Sequence, residues 1–137
     1  MSLITKIDDR VFLADWKAAT NLSILNELEI TKVISIGNET EMEFYSFFDE
    51  IEYLKIVIED KEDSNISEWF DKTSHFLSEG NCLVHCRVGI SRSVTIILAY
   101  LINKGMPYQE AFSVLKAKKS NIKPNPGFVS QLKDFIR

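Results

Sequence analysis

Cysteine and histidine are scarce in this chain, with two of each among 137 residues. So few leave no group at zinc-ligand spacing and no disulfide framework. If Cys82 and Cys86 share a strand, the four-residue step separates them by roughly 13 Å, whereas a disulfide needs Cα atoms within about 7 Å. Cys82 therefore reads as a small buried apolar residue, and neither a metal nor another cofactor is expected. Long apolar runs are missing as well. The longest, 94–102, is too short to span a bilayer. No signal-like apolar run follows Met1, Ser2 stands where myristoylation needs glycine, and the C-terminal Lys133-Asp134-Phe135-Ile136-Arg137 offers no prenylation cysteine. Positive charge is not in excess: the net charge is −4, which disfavours non-specific attachment to nucleic acid or anionic membrane. The expected setting is the cytoplasm, with nuclear entry left open. Glycine and proline are few, five and three, and no linker or repeat divides the chain. One domain over residues 1–137 follows.

What is present is an alternation of short strand and helix signals. Residues 4–7 and 11–14 read as strands around the turn Asp8-Asp9-Arg10, and 21–28 as a short helix. Residues 31–36 form a β-rich run ending at Gly37. Residues 38–49 are a short helix or an aromatic-rich loop, and 51–58 another strand. Asn65-Ile66-Ser67-Glu68 has the spacing of a capping box. It opens a helix whose inner face is Ile66, Trp69, Phe70, Phe76 and Leu77, ending near Gly80. Residues 82–85 are the expected central strand. Residues 93–104 are apolar almost all round, as a buried helix is. Pro107 suits a first helical position, with that helix running to about Lys118. A last helix from about Gly127 presents Phe128, Leu132, Phe135 and Ile136. The pattern implies an α/β fold, a central mostly parallel sheet with helices on both faces, whose ligand sits beyond the carboxyl ends of the strands.

At that end of strand 82–85 lies the stretch His85-Cys86-Arg87-Val88-Gly89-Ile90-Ser91-Arg92-Ser93. A strand turning tightly into a helix leaves backbone N–H groups facing one point, a nest that binds phosphate or a similar anion. The loop 86–92, comprising Cys86, Arg87, Val88, Gly89, Ile90, Ser91 and Arg92, is the expected substrate-binding element. Cys86 is placed as nucleophile, since a helix N-terminus and an arginine favour the thiolate. Gly89 suits a turn with positive φ. The planar fork of Arg92 matches two phosphate oxygens. Ser91 is expected to donate a hydrogen bond to the sulfur and make it a better leaving group. A carboxylic acid should protonate the departing oxygen; the acids after strand 51–58 are Glu59, Asp60, Glu62 and Asp63.

These residues resemble the dual-specificity branch of the cysteine-based protein tyrosine phosphatases, over nearly the whole chain. Besides the loop, residues 7–13, 30–34, Ala99-Tyr100-Leu101 and Pro124-Asn125 with Gly127-Phe128 stand where that family has similar residues. The stretches 89–95 and 118–122 look closest to catalytic domains acting on mitogen-activated protein kinases, although the chain has no room for the N-terminal docking domain that such enzymes often carry. The resemblance implies a protein tyrosine phosphatase-like fold and one catalytic domain over 1–137. It implies hydrolysis of phosphotyrosine and phosphoserine or phosphothreonine through a phospho-cysteine intermediate, in the service of signalling. It assigns Asp60, six residues before Ile66, as general acid, with Asp63 the substitute. His85 supports the loop and tunes the thiolate, Ser93 closes the loop, and Asn125 braces it. The implied partners are a phosphoprotein, with a mitogen-activated protein kinase as candidate, and phosphate, sulfate or vanadate in the site; no nucleic acid and no membrane are expected.

Two other readings stay open. A phosphoinositide or RNA 5′-end phosphatase usually carries extra lysines or histidine in the loop, whereas here only Arg87 adds charge. A catalytically silent phospho-residue binder generally lacks the nucleophile, which Cys86 supplies. Rhodanese-type sulfur transfer would not match the loop this closely. His75 is expected to be a partly exposed helix residue, and Lys116, Lys118, Lys119 and Lys123 a solvated helix end.

Overall fold

A computed structural model describes residues 4–135; Ile136 lies outside them. Strand β1 (Ile4–Lys6) runs antiparallel to β2 (Val11–Ala14). Asp8 ties the turn between them, its Oδ1 accepting from the N–H groups of Arg10 and Val11 at 2.9 Å each. β3 (Lys32–Gly37), β4 (Glu52–Val57) and β5 (Cys82–His85) join β2 in parallel, giving the order β1-β2-β5-β3-β4. The strand bearing the cysteine is thus the middle one.

Because side chains alternate across a strand, the sheet divides its apolar residues between two cores. Val11, Leu13, Ile34, Ile36, Ile56, Cys82 and Val84 point to one face. There they meet α4 (Phe70–Phe76), α5 (Arg92–Asn103), α6 (Tyr108–Lys118) and α7 (Pro126–Asp134). Phe12, Ala14, Val33 and Leu83 point to the other face, under α1 (Trp16–Ala19) and α2 (Leu22–Glu27). Buried on every side from Arg92 to Ile102, α5 is the spine of the larger core; each fully buried aliphatic side chain there contributes about 1.5–3 kcal/mol.

The alternation of elements stands, with local corrections. The ambiguous stretch 38–49 contains a helix, α3 (Glu39–Phe44). It opens on a capping box in which Asn38 and Glu41 exchange side-chain and backbone hydrogen bonds. The capping box expected at Asn65 does not form. Asn65 Oδ1 accepts from the Ser67 hydroxyl, and the Ser67 N–H goes to Gln131, so that helix begins with a 3₁₀ turn at Ser67–Trp69. Its regular part ends at Phe76, short of Gly80. Pro107 is the N-cap of α6, so the first helical residue is Tyr108, one later than expected. The short α1 had no separate signal in the apolar pattern; Asp15 caps it by accepting from the Ala18 N–H.

One consequence of topology matters most for chemistry. The four parallel strands end on the same edge. Trp16 follows β2, Glu41 follows β3, Asp60 follows β4 and the 86–92 loop follows β5. Four separate stretches of sequence converge there. No helix among the described residues is long and apolar enough to cross a membrane.

Candidate active site

The 86–92 loop joins β5 to α5, and its conformation depends on Gly89, whose φ is +83°. That left-handed geometry suits glycine, and a Cβ there would come within 3.2 Å of the Ala14 carbonyl oxygen. The turn carries the Gly89 N–H to the Cys86 sulfur at 3.2 Å. Backbone bonds fasten the loop from two sides: the Trp16 N–H donates to the Arg87 carbonyl at 3.2 Å, and the Lys123 N–H to the Ile90 carbonyl at 2.7 Å. Arg87 and Val88 are exposed, while Cys86, Gly89, Ser91 and Arg92 are buried.

The hydroxyl expected at the sulfur is not the one found there. Ser93 Oγ lies 3.1 Å from Cys86 Sγ. Ser91, expected at the sulfur, instead donates to Asp60 Oδ1 at 2.8 Å and accepts from the Asn125 N–H at 3.2 Å. The reason is the start of α5. Ser91 is its N-cap residue, with φ −128° and ψ −72°, neither helical nor extended, whereas Ser93 lies inside the first turn, on the side that overhangs the cysteine.

Arg92 is gripped in a way that the sequence did not disclose. Nη1 donates to Glu41 Oε1 at 2.7 Å and to the Ile58 carbonyl at 3.0 Å, and Nη2 donates to Glu41 Oε2 at 2.9 Å. Glu41 is itself fixed by the Asn38 N–H, and the guanidinium beside it holds its carboxyl below the ordinary glutamate range. Two carboxylate oxygens against two nitrogens form a bidentate pair, which sets the plane of the guanidinium. Glu41 is 51 residues from Arg92 in the chain; the Asn-x-x-Glu spacing of its capping box is the signal that could have located it.

Asp60 Oδ1 accepts from both Ser91 and Asn125 Nδ2, each at 2.8 Å. All four acids of the 59–63 stretch are exposed, and among the described residues Asp60 is the one hydrogen-bonded to the 86–92 loop. The segment carrying Asp60 is pinned along α7 at three points. Asn125 holds Asp60 and also caps α7 by accepting from the Phe128 N–H at 2.9 Å. Gly127 lets the Glu62 carbonyl approach so closely that a Cβ would collide with it. Gln131 donates to the Ser64 carbonyl at 2.9 Å and accepts from the Ser67 N–H at 2.8 Å. Gly127 and Gln131 were not among the residues expected to matter for the site.

His85 is 2% exposed. Its Nδ1 faces the Cys86 carbonyl at 3.1 Å and its Nε2 faces Ser35 Oγ at 2.6 Å. A carbonyl only accepts, so Nδ1 carries the proton and Nε2 accepts from Ser35. Burial disfavours the charged ring and pushes its pKa down to about 4, so the imidazole is a neutral support under the cysteine backbone. A pH effect follows. Below about pH 6.5 the unfolded chain protonates this histidine, while the folded protein resists until about pH 4. Stability is thus lost as pH falls through that window, by up to about 3 kcal/mol. Denaturant titrations at pH 7 and pH 4.5 should show a smaller loss for His85→Gln than for the wild type. Equal losses would mean that this ring does not resist protonation.

A family model described as the catalytic domain of dual specificity phosphatases matches residues 11–137. Dual specificity protein phosphatase 1 of Arabidopsis thaliana is 35% identical over 135 residues, covering 94% of this chain and 67% of that protein. Dual specificity protein phosphatase 6 of Homo sapiens is 38% identical over 133 residues, covering 93% of this chain and 35% of that protein. The crystal structure of human tyrosine phosphatase-like serine/threonine/tyrosine-interacting protein superposes with a TM-score of 0.91 at 32% identity, covering 96% of this chain and 94% of that one. The chain thus spans about two thirds of one curated relative and about a third of the other. Since the match takes in the middle strand, the loop after it and the helices on either side, the chain belongs to the dual specificity phosphatases and carries their catalytic domain.

Proposed function

We propose that this protein hydrolyses phosphotyrosine and phosphoserine or phosphothreonine in protein substrates, through a phospho-cysteine intermediate, with residues 1–137 acting as one catalytic domain. The observation that carries the reading is the donor count on Arg92. A guanidinium has five N–H donors. Glu41 and the Ile58 carbonyl take both from Nη1 and one from Nη2. Nε, which is buried, has no partner among the described residues. The Nε–H and the second Nη2–H lie side by side on one edge of the plane, a fork of the width that two phosphate oxygens fit.

With phosphate in that fork and on the loop N–H groups, the Cys86 thiolate attacks phosphorus and the P–O bond to the leaving group breaks. Asp60 gives its proton to the departing oxygen. Because Oδ1 already accepts two hydrogen bonds, the proton is carried on Oδ2. The resulting carboxylate then takes a proton from water as the water attacks the phospho-cysteine, releasing phosphate and restoring the thiolate. The Ser93 hydroxyl donates to the sulfur and eases its departure. Phosphoryl transfer has a loose transition state, so fixed positive charge and positioning carry most of the catalysis, and the Glu41 grip fixes the charge of Arg92 in advance.

The loop favours protein over phosphoinositide or RNA substrates. Its variable positions are Arg87, Val88 and Ile90, and Val88 presents an apolar side chain, 56% exposed, beside the nucleophile. The phosphoprotein proposed is one of a signalling pathway, with a mitogen-activated protein kinase the candidate supported by the stretches 89–95 and 118–122. The cytoplasm is the proposed setting, since it keeps thiols such as the two free cysteines reduced. The test is turnover of phosphotyrosine and phosphothreonine peptides beside phosphoinositide vesicles and 5′-phosphorylated RNA. Release of phosphate from the peptides is expected to be dominant, and faster release from lipid or RNA would replace this reading. No His, Cys, Asp and Glu cluster among the described residues could hold a metal ion. Turnover is therefore expected to survive EDTA and to stop with vanadate, which takes up the trigonal-bipyramidal geometry of the transition state. Loss on chelation with recovery on added zinc or magnesium would point to a different mechanism.

A further inference from the structure

Beside the 86–92 loop, on the side of β2 and β3, lies a recess of about 250 Å³ lined by Trp16, Glu41, Phe44, Tyr45 and Arg87. Three of its five walls are aromatic. We propose that this recess is a specificity subsite that receives one bulky apolar side chain of the substrate, within two residues of the phosphorylated one. The inference rests on the phosphatase reading above and adds the class of sequence that the site selects.

Position argues for a peptide occupant. Arg87 immediately follows the nucleophile, and its carbonyl accepts from the Trp16 N–H at 3.2 Å, so a wall of the recess is bonded to the loop that would hold the phosphate. Whatever fills the recess lies next to the phosphorylated residue. Its volume is below the roughly 300–1,000 Å³ of pockets that enclose drug-sized ligands and suits a single side chain.

Chemistry argues for an apolar one. Two polar groups of the lining are already bonded: the Glu41 carboxylate, through both oxygens, to Arg92, and the Tyr45 hydroxyl to the Ile36 carbonyl at 2.9 Å. A polar side chain entering here would leave water for walls with little to offer it, which is costly. Arg87 is exposed, so its charge is screened at the rim and attracts an acidic neighbour only weakly. The surrounding surface agrees. Among the described residues the large apolar side chains left exposed are Phe44 (62%), Val57 (54%) and Val88 (56%). All three lie at the carboxyl edge of the sheet, at the end of α3, the end of β4 and in the loop after β5. Of these, Phe44 itself lines the recess, so its wall presents apolar surface to solvent.

The test uses short phosphotyrosine peptides with alanine at the two positions on either side, replaced one at a time by leucine, phenylalanine or aspartate. At one position leucine or phenylalanine is expected to raise kcat/KM about tenfold over alanine, within the range that an apolar pocket discriminates. That ratio should fall to within about twofold in Phe44→Ala; being internal to each variant, it is unaffected by a general change in activity. Dissociation constants of the same peptides on Cys86→Ser, with and without Phe44→Ala, should repeat the preference without turnover. A flat profile, a preference for aspartate, or a preference that survives Phe44→Ala in both measurements overturns the subsite. Failure of the wild type to hydrolyse a simple aryl phosphate overturns the phosphatase reading, and the binding profile then still decides the recess.

Discussion

Cys86→Ser is expected to bring turnover of an aryl phosphate below detection while phosphopeptide binding persists. The substitution exchanges one atom in a buried position, so the loop has no steric reason to move. The Gly89 N–H and the Ser93 hydroxyl, which reach the sulfur at 3.2 and 3.1 Å, stabilise a thiolate. An alkoxide needs a general base to form, and His85, the nearest imidazole in sequence, is turned away with its Nδ1 on a carbonyl and its Nε2 on Ser35. Binding should survive because the Arg92 fork and the backbone N–H groups do not depend on the sulfur. The measurement is a pair: steady-state release of phosphate, and calorimetric affinity for a phosphotyrosine peptide. Turnover within about tenfold of wild type would remove Cys86 from the mechanism, because losing a true nucleophile costs far more. Loss of binding together with turnover would mean that the loop itself had collapsed.

Asp60→Asn is expected to lower turnover by about 10²–10⁴-fold for a substrate with a poor leaving group such as phosphotyrosine. The loss should shrink for an aryl phosphate whose phenolate leaves readily without a proton. Geometry makes this variant informative. An amide oxygen can accept from Ser91 and Asn125 as Oδ1 does now, so the contacts of the site are retained while the transferable proton is removed. The loop should also hold its place, since Gln131 anchors it at the Ser64 carbonyl and the Ser67 N–H. Kinetics on a series of aryl phosphates of graded leaving-group ability would decide the matter. A steeper dependence on the leaving group than in the wild type supports the acid role. Equal losses across the series would leave Asp60 as a structural acceptor for Ser91 and Asn125, and Asp63 would be the next residue to replace.

Much of this was legible in the chain itself. The short apolar or β-rich runs 11–14, 31–36 and 82–85 marked the strands, and because a strand repeats every two residues their successive side chains go to opposite faces. The 93–104 stretch, apolar almost all round, determined a buried helix, and Gly89 between Cys86 and Arg92 determined a tight turn. These are local properties, decided by neighbours within a few residues. Tertiary structure decided what depends on which strand ends lie side by side. Glu41 reaches Arg92 only because β3 and β5 are adjacent and parallel. Asp60, Ser91 and Asn125 meet only because α7 returns across the loop after β4. The exchange of Ser91 for Ser93 at the sulfur has the same origin. Both serines flank Arg92 in sequence, and spacing alone could not choose between them. The choice was made by the start of α5, which turns the residue inside its first turn over Cys86 and leaves the preceding one facing Asp60 and Asn125.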